Sequence, residues 1–312
     1  MKKWIVTVLI LLILGTLSTY IFIPGKIVVG QYSSFATNRA GLYRNIFEQS
    51  TWGKWWPGDK TDSAKHVFRY HDFTYQIKDK KLSSLEMSIK NGDLDYASSL
   101  TMIAPTNDSV TLQWRGEYTN SFNPIRRIQI YQKSKQLKKE MQELMDTIAR
   151  YFSITENIYD YRIEKASVVD SNLVFTSSVC KGYPTVPFIY AMVDQLKAFI
   201  RAGNAKETGF PMLNVNTADS INYLVRVAIP VDRKMEASGN ISYKWMLGGG
   251  NILITEIKGG TREINKAFQQ VEYYVADHLR NAPAIPFLSL VTDRRAEPDS
   301  SKWITRIYYP VM

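Results

Sequence analysis

A tandem duplication in the second half of the chain constrains the fold more than any other feature. The run FPMLNVNT at 210–217 recurs as IPFLSLVT at 285–292, an offset of 75 residues. The run YLVRVAIPV at 223–231 recurs as WITRIYYPV at 303–311, an offset of 80, so the second copy holds five extra residues between its runs. All four runs are rich in β-branched and aromatic residues and are separated by polar loops, so each pair reads as a hairpin. An amphipathic helix precedes each hairpin. Ile189, Met192, Val193, Leu196, Phe199 and Ile200 recur at helical spacing in the first copy, as do Ile264, Ala267, Phe268, Val271, Tyr274 and Val275 in the second. The offset of 75 aligns Val193 with Phe268, Leu196 with Val271 and Ile200 with Val275. Gly203 is expected as the C′ residue of the first helix, and Pro283 stops the second. A strand precedes each helix, at 174–181 and 252–258, and each closes in glycine, at Gly182 and at Gly259-Gly260.

The order is therefore strand–helix–strand–strand, twice. A helix that buries one stripe needs a sheet beneath it. Two such units can set their strands side by side with both helices on one face. That leaves the opposite face and the crease between the units free for a ligand. Gly248-Gly249-Gly250 lacks the Lys-Ser/Thr of a phosphate loop and precedes a strand, so it reads as the linker between the units. Arg226 and Arg306 are equivalent strand residues whose facing the alternation leaves open.

Residues 160–312, with repeats at about 172–231 and 250–312, resemble the gyrase-inhibitor-like effector-binding domain of bacterial multidrug regulators. The duplicated unit, Ala228-Ile229-Pro230-Val231, the terminal Arg306-Ile307-Tyr308-Tyr309-Pro310-Val311, Pro286-Phe287 and Thr292-Asp293 carry the likeness. The resemblance implies a pocket for bulky, often cationic or aromatic small molecules, and some relatives hydrolyse strained electrophiles. The family pattern Pro-aromatic-Glu-x-Tyr reads Pro286-Phe287-Leu288-Ser289-Leu290 here. Two leucines can neither attract a cation nor act as a base, which points to an apolar ligand and away from hydrolysis. Glu256 is the one acid placed to replace the charge; its ordinary reading is an exposed strand residue paired with Lys258 or Arg262.

Earlier in the chain, 26–35 reads as extended, and Asn38 can cap a helix from Arg39 to about Gln49. Strands follow at 67–70, 73–78, 82–89, 96–104 and 110–117, with turns at Asp79-Lys80, Asn91-Gly92-Asp93 and 105–108. Leu137, Met141, Leu144, Met145, Ile148 and Phe152 then mark a long helix over 128–152. A curved sheet around one long helix encloses a cavity. Trp52-x-x-Trp55-Trp56-Pro57 after the first helix gives residues 26–155 a likeness to the START-like, Bet v 1-type helix-grip superfamily, which includes polyketide cyclases. That resemblance implies a hydrophobic ligand in the grip. Trp114, Tyr118 and Phe122, four apart, are expected on one strand face.

The first 25 residues read as a transmembrane anchor. Residues 4–23 carry no charge over 20 positions, about 30 Å as a helix, which is the thickness of a hydrocarbon core. Trp4 and Tyr20 suit its two interfaces. A cleaved signal peptide is the rival; it needs a shorter apolar core before small residues, and here the apolar stretch resumes through Ile23. Lys2 and Lys3 place the N-terminus on the cytoplasmic side and the bulk outside, in the periplasm or beyond the cell. Net charge is +8 over residues 1–155 and +2 over 156–312. A soluble surface or anionic headgroups account for that excess, and no motif for nucleic acid accompanies it. A single Cys180 excludes a disulfide framework and a cysteine-built zinc site. Three histidines leave little for a metal cage: His66 and His71 fall on opposite strand faces, and His278 sits on a helix.

The expectation is an α+β chain: an N-terminal transmembrane helix, a helix-grip antiparallel sheet domain, and a duplicated effector-binding domain. Its function is expected to be non-catalytic binding of a small hydrophobic or aromatic molecule at a membrane, without cofactor, metal or nucleic acid. A hydrolase or cyclase, and an interaction scaffold with empty pockets, are the alternatives. Trp245, Glu256, Phe287, Leu288 and Tyr308 are the candidate ligand residues of the distal domain, and Trp52, Trp56, Trp114 and Tyr118 those of the grip.

Overall fold

The computed structural model describes residues 2–59, 67–169 and 171–312. Met1 and His66 lie outside them. The chain forms two compact units, Met1–Ile154 and Thr155–Met312, and the architecture is α+β with one antiparallel sheet in each.

The first unit opens with α1 (Lys2–Phe22). It continues through β1 (Lys26–Ala36), α2 (Arg39–Phe47) and the short α3 (Trp52–Trp55). Five strands follow: β2 (Val67–Tyr70), β3 (Phe73–Lys80), β4 (Ser84–Asn91), β5 (Leu94–Thr106) and β6 (Ser109–Thr119). The unit ends in α4 (Pro124–Phe152). Strands β2 to β6 form a meander, and β1 returns to pair along the whole of β6, giving the order β1-β6-β5-β4-β3-β2.

Asn38 caps α2 as expected, its side chain accepting from the Gly41 amide at 3.0 Å. The long helix starts four residues earlier than its apolar periodicity suggests. Asn123 accepts from the amides of Ile125 and Arg126 at 3.0 and 3.1 Å, and Pro124 occupies the first turn, where its missing N–H costs nothing. Asp79-Lys80 is not a turn. A register shift between Ile77 and Asp79 absorbs an extra residue, β3 runs on to Lys80, and the turn falls at 81–83. Phe122 lies past the end of β6 and is exposed, so it does not continue the face of Trp114 and Tyr118.

The inner face of α4 buries Leu137, Met141, Leu144, Met145, Ile148 and Phe152 against the sheet. Burying each such side chain stabilises by about 1.5–3 kcal/mol. By contrast, α1 is apolar all round and exposes its side chains along its length; the stretch Lys3–Phe22 is long and apolar enough to cross a membrane. Its C-terminal end is fixed to α4. Arg127, itself buried, donates from Nε and Nη2 to the Ile23 carbonyl at 3.0 and 2.6 Å and lies over the Tyr20 ring. A cation is favourable at that end of a helix, where unpaired carbonyls gather.

The second unit begins with α5 (Thr155–Tyr159) and β7 (Glu164–Ser167). Its first repeat is β8 (Ser171–Lys181), α6 (Val186–Ala202), β9 (Met212–Thr217) and β10 (Asn222–Val231). After β11 (Ser242–Met246) comes the second: β12 (Asn251–Lys258), α7 (Thr261–Asp277), β13 (Phe287–Leu290) and β14 (Ile304–Val311). The eight strands form one sheet in the order β11-β8-β10-β9-β13-β14-β12-β7. Read from the centre outward, the sheet is palindromic. Leu213 and Leu288, 75 residues apart and equivalent by the duplication, pair directly across β9 and β13. A pseudo-twofold axis therefore passes through that pair.

Two short strands form the rims of the sheet. Each repeat is preceded by a strand that pairs with the other repeat: β7 joins β12, and β11 joins β8. The triple glycine is accordingly no free linker. It turns the chain between β11 and β12 and is held to Val168 by two backbone hydrogen bonds of 2.7 and 2.9 Å.

The helix ends repeat as closely as the strands. The Ala205 amide donates to the Ile200 carbonyl at 3.1 Å, and the Arg280 amide to the Val275 carbonyl at 3.0 Å, both pairs offset by 75. Gly203 is not the left-handed residue, with φ of −85°. The left-handed position is Asn204, φ +52°, and its counterpart is Leu279, φ +53°. Asparagine tolerates that conformation, whereas a leucine Cβ crowds its own backbone there. Leu279 is also exposed, so it loses little packing if replaced. Leu279→Asn, which copies the first repeat, is expected to stabilise the second unit by about 0.5–1 kcal/mol. A thermal melt that falls or does not move contradicts this.

Candidate functional site

The pseudo-twofold sheet has two faces. Residues paired directly across antiparallel strands point the same way, so the register assigns every side chain. On one face, α6 lies chiefly over β10 and β8, and α7 over β12 and β14. The paired central strands β9 and β13 form the floor of the crease between the helices. That floor is aliphatic: Leu213, Val215, Leu288 and Leu290. Leu213 and Leu290 are buried, while Leu288 and Val215 are half-buried. Leu288 touches both the core beneath α6 and the core beneath α7.

The five extra residues of the second repeat break the symmetry of this crease. They lie in the β13–β14 loop, which packs onto α6. Tyr190 on α6 donates to the Thr292 carbonyl at 3.2 Å and accepts from the Arg294 amide at 2.9 Å. Arg295 lies over the Tyr190 ring and pairs with Asp194 at 2.7 Å. Arg294 is buried, stacks on Trp303 and donates to Thr305 at 3.1 Å; burial lowers its pKa from the usual arginine range, against the opposing pull of Tyr190 and Tyr183. Asn265 and Gln269 occupy on α7 the places of Tyr190 and Asp194 on α6. The corresponding β9–β10 turn is too short to cover them. They line an open groove of about 750 Å³ along α7, together with Thr261, Arg262, Lys266, Phe268 and Glu272. Phe268 also packs on Tyr309 at 5.8 Å between ring centres. One side of the crease is thus closed by the inserted loop and the other is open. Its floor is apolar and an aromatic pair flanks it, with charge on both sides: Arg294, Arg295 and Asp194 toward α6, and Arg262, Lys266 and Glu272 in the groove.

The opposite sheet face carries a different set. Phe287 and Tyr308, directly paired, stack with centres 5.0 Å apart and planes 5° from parallel. Beside them Arg306 donates to Glu256 at 2.8 Å. Arg306 is the cross-strand partner of Glu256, so neither Lys258 nor Arg262 neutralises that acid. The pairing raises the Arg306 pKa. Arg226, the repeat equivalent, donates to Asn214 at 3.1 Å on the same face. Both arginines therefore face away from the helices.

The five distal candidates are not gathered in one place. Phe287, Tyr308 and Glu256 lie on the open face, and Leu288 on the crease floor. Trp245 belongs to the edge strand β11, on the helix side, more than half exposed and separated from the crease by β8 and β10. Strand alternation is the cause: Phe287 and Leu288 are neighbours in sequence and opposite in facing.

In the first unit the expected cavity is filled. Trp52 and Trp114 expose none of their surface and Trp56 only 5%. A void large enough for a ligand would leave accessible area on the rings that line it. Instead Trp52 stacks on Trp56 at 5.5 Å, Tyr75 meets Trp56 at 5.1 Å and Trp114 at 5.5 Å, and all three indoles donate to oxygens. Trp52, Trp56 and Trp114 are core residues. Tyr118 is half-buried against Tyr96.

One polar feature interrupts that core. Glu140 on α4 is buried, its Oε2 and the nearby Tyr75 hydroxyl have no hydrogen-bond partner, and His71 lies 3.8 Å from Oε1. Burial raises the Glu140 pKa; Asp72 and Glu143 push the same way, while Gln136 and His71 oppose it. Cys180 is half-buried against the α6 core, and His278 ends α7 stacked on Tyr274. Among the described residues no group of three histidines, cysteines or acids could hold a metal ion.

No family model matches the sequence, and no curated protein matches it. Solved structures similar to this chain include the C-terminal domain of EcmrR, at 16% identity and a TM-score of 0.43, covering 49% of this chain and 98% of that one. A hydrolase from Listeria innocua is similar at 12% identity and a TM-score of 0.37, covering 49% and 92%. SAV2435 bound to tetraphenylphosphonium is similar at 12% identity and a TM-score of 0.33, covering 48% and 94%.

Two outcomes follow from these contacts. Tyr190→Phe removes the hydroxyl that ties the inserted loop to α6 and should cost about 1–2 kcal/mol, with faster hydrogen exchange at the Arg294 amide; unchanged exchange would show that the loop is held elsewhere. For Glu140, the unfolded carboxyl titrates near 4.5 and the folded one higher. The folded state is therefore penalised progressively as pH rises from the lower value to the higher, and constantly above it. Glu140→Gln should stabilise by about 1 kcal/mol at pH 7.5, with the gain vanishing at pH 4. A gain independent of pH would contradict this.

Proposed function

We propose that this chain is a membrane-tethered protein that binds a small hydrophobic or aromatic molecule in the crease between α6 and α7, without catalysis. The observation that carries the reading is the half-buried Leu288 and Val215 on the pseudo-twofold floor, beside a groove that the shorter loop leaves open along α7. Aliphatic floor and flanking Phe268 and Tyr309 favour contact with apolar surface, and burying it drives association. The ligand class is uncharged. No carboxylate stands on the floor to draw a cation, and Glu256 faces the other way and is held by Arg306. This arrangement supports a gyrase-inhibitor-like effector-binding ancestry for the distal unit, with the family's pocket acid and phenol replaced by Leu288 and Leu290. The apolar helix supports tethering at a membrane, where such molecules concentrate; the N-in, C-out orientation rests on Lys2 and Lys3.

Equilibrium dialysis of the full chain in nanodiscs against 1-N-phenylnaphthylamine, corrected for empty nanodiscs, tests the reading. Saturable binding of one probe per chain is expected. Val215→Asp and Gln269→Trp, which charge the floor and fill the groove, should weaken it at least tenfold, and Phe287→Ala on the opposite face should leave it unchanged. Loss with Phe287→Ala alone would move the site to the open face, and no saturable binding would favour a scaffold role.

A further inference from the structure

The end of α1 and the loop joining β6 to α4 form one surface, and its geometry fixes a depth. The Tyr20 hydroxyl donates to the backbone carbonyl of Phe122. Helical side chains tilt toward the N-terminus, so the Phe122 peptide lies no higher along α1 than Tyr20. Ile21, Phe22 and Ile23 continue the apolar stretch beyond Tyr20 by about 4.5 Å. The loop is therefore level with the apolar length of the helix, not above it. Phe122 is 89% exposed and Ile125 69% exposed. Phe22 and Ile21 on the helix end are nearly as exposed.

The contact is hydrogen-bonded. Arg127 holds the Ile23 carbonyl through Nε and Nη2 and donates from Nη1 to the Ser121 carbonyl at 3.2 Å, spanning helix end and loop. Asn120 donates from its amide to the Gly25 carbonyl at 2.8 Å and from its side chain to the Pro24 carbonyl at 3.2 Å. Four hydrogen bonds from Asn120 and Arg127 to the carbonyls of Ile23, Pro24 and Gly25 thus seat the end of α1 on the unit.

We propose that Phe122 and Ile125 insert into the lipid interface beside α1, so that the first unit rests on the bilayer in one orientation. This rests on the reading of α1 as a membrane anchor. The occupant is lipid because the surface is continuous with α1 and at the same level. Large exposed apolar side chains at that level meet acyl chains and headgroups, as interfacial anchors do.

The test uses the full chain in phosphatidylcholine vesicles, with bimane attached to single cysteines in a Cys180→Ser background and brominated lipids as quenchers. Labels at Phe122→Cys and Ile125→Cys are expected to be quenched at least half as strongly as one at Leu11→Cys within α1. A label at Leu82→Cys, on the exposed turn at the far end of the sheet, should stay unquenched. Quenching at position 11 without quenching at 122 and 125 overturns the proposal and leaves the anchor standing. No quenching at position 11 overturns the anchor and the proposal with it. If the cysteine variants do not fold, photoactivatable phosphatidylcholine on the unmodified chain gives the same decision. Crosslinks on residues 121–125 as well as α1 support insertion, and crosslinks on α1 alone exclude it.

Discussion

The direct pairing of β9 with β13 is the contact on which the distal unit depends. Without it each repeat would be a small sheet with an unpaired edge and one helix, a poor core and an aggregation risk. With it, eight strands share one hydrogen-bonded ladder, and β7 and β11 cross over to seal the partner repeat's rim. The same pairing creates the crease. Two helices lie chiefly over the outer strands of their own repeats, and on the central pair Leu213 and Leu290 are buried while Leu288 and Val215 are half-buried at the axis.

The symmetry fails at one loop. The inserted residues carry the β13–β14 loop onto Tyr190 and Asp194, and the equivalent positions on α7 stay bare. One half of the crease is turned into packed structure and the other into a groove. Arg294, buried against the Trp303 ring and the Thr305 hydroxyl, is part of the cost of that closure, since a desolvated guanidinium needs such partners to be tolerated.

Much of this was legible in the residues themselves. The offsets of 75 and 80 marked the duplication and even located the insertion, and β-branched alternation marked most strands. What the sequence hid was facing and exchange. Phe287 and Leu288 read as one motif yet end on opposite faces, because periodicity shows that a strand alternates without showing which side meets the helix. The rim strands are four and five residues long, too short to stand out, and their partners lie in the other repeat. The grip cavity was inferred from architecture, but three indoles and Tyr75 fill it. An aromatic-rich sequence is compatible with either a lined cavity or a solid core, and only packing separates them.

Methyl-resolved NMR of the full chain in nanodiscs with bound 1-N-phenylnaphthylamine tests the central claim most directly. Intermolecular Overhauser effects to the methyl groups of Val215 and Leu288 are expected. Effects confined to Ile254 and Ile304 on the opposite face, or none at any methyl of the second unit, would contradict the account.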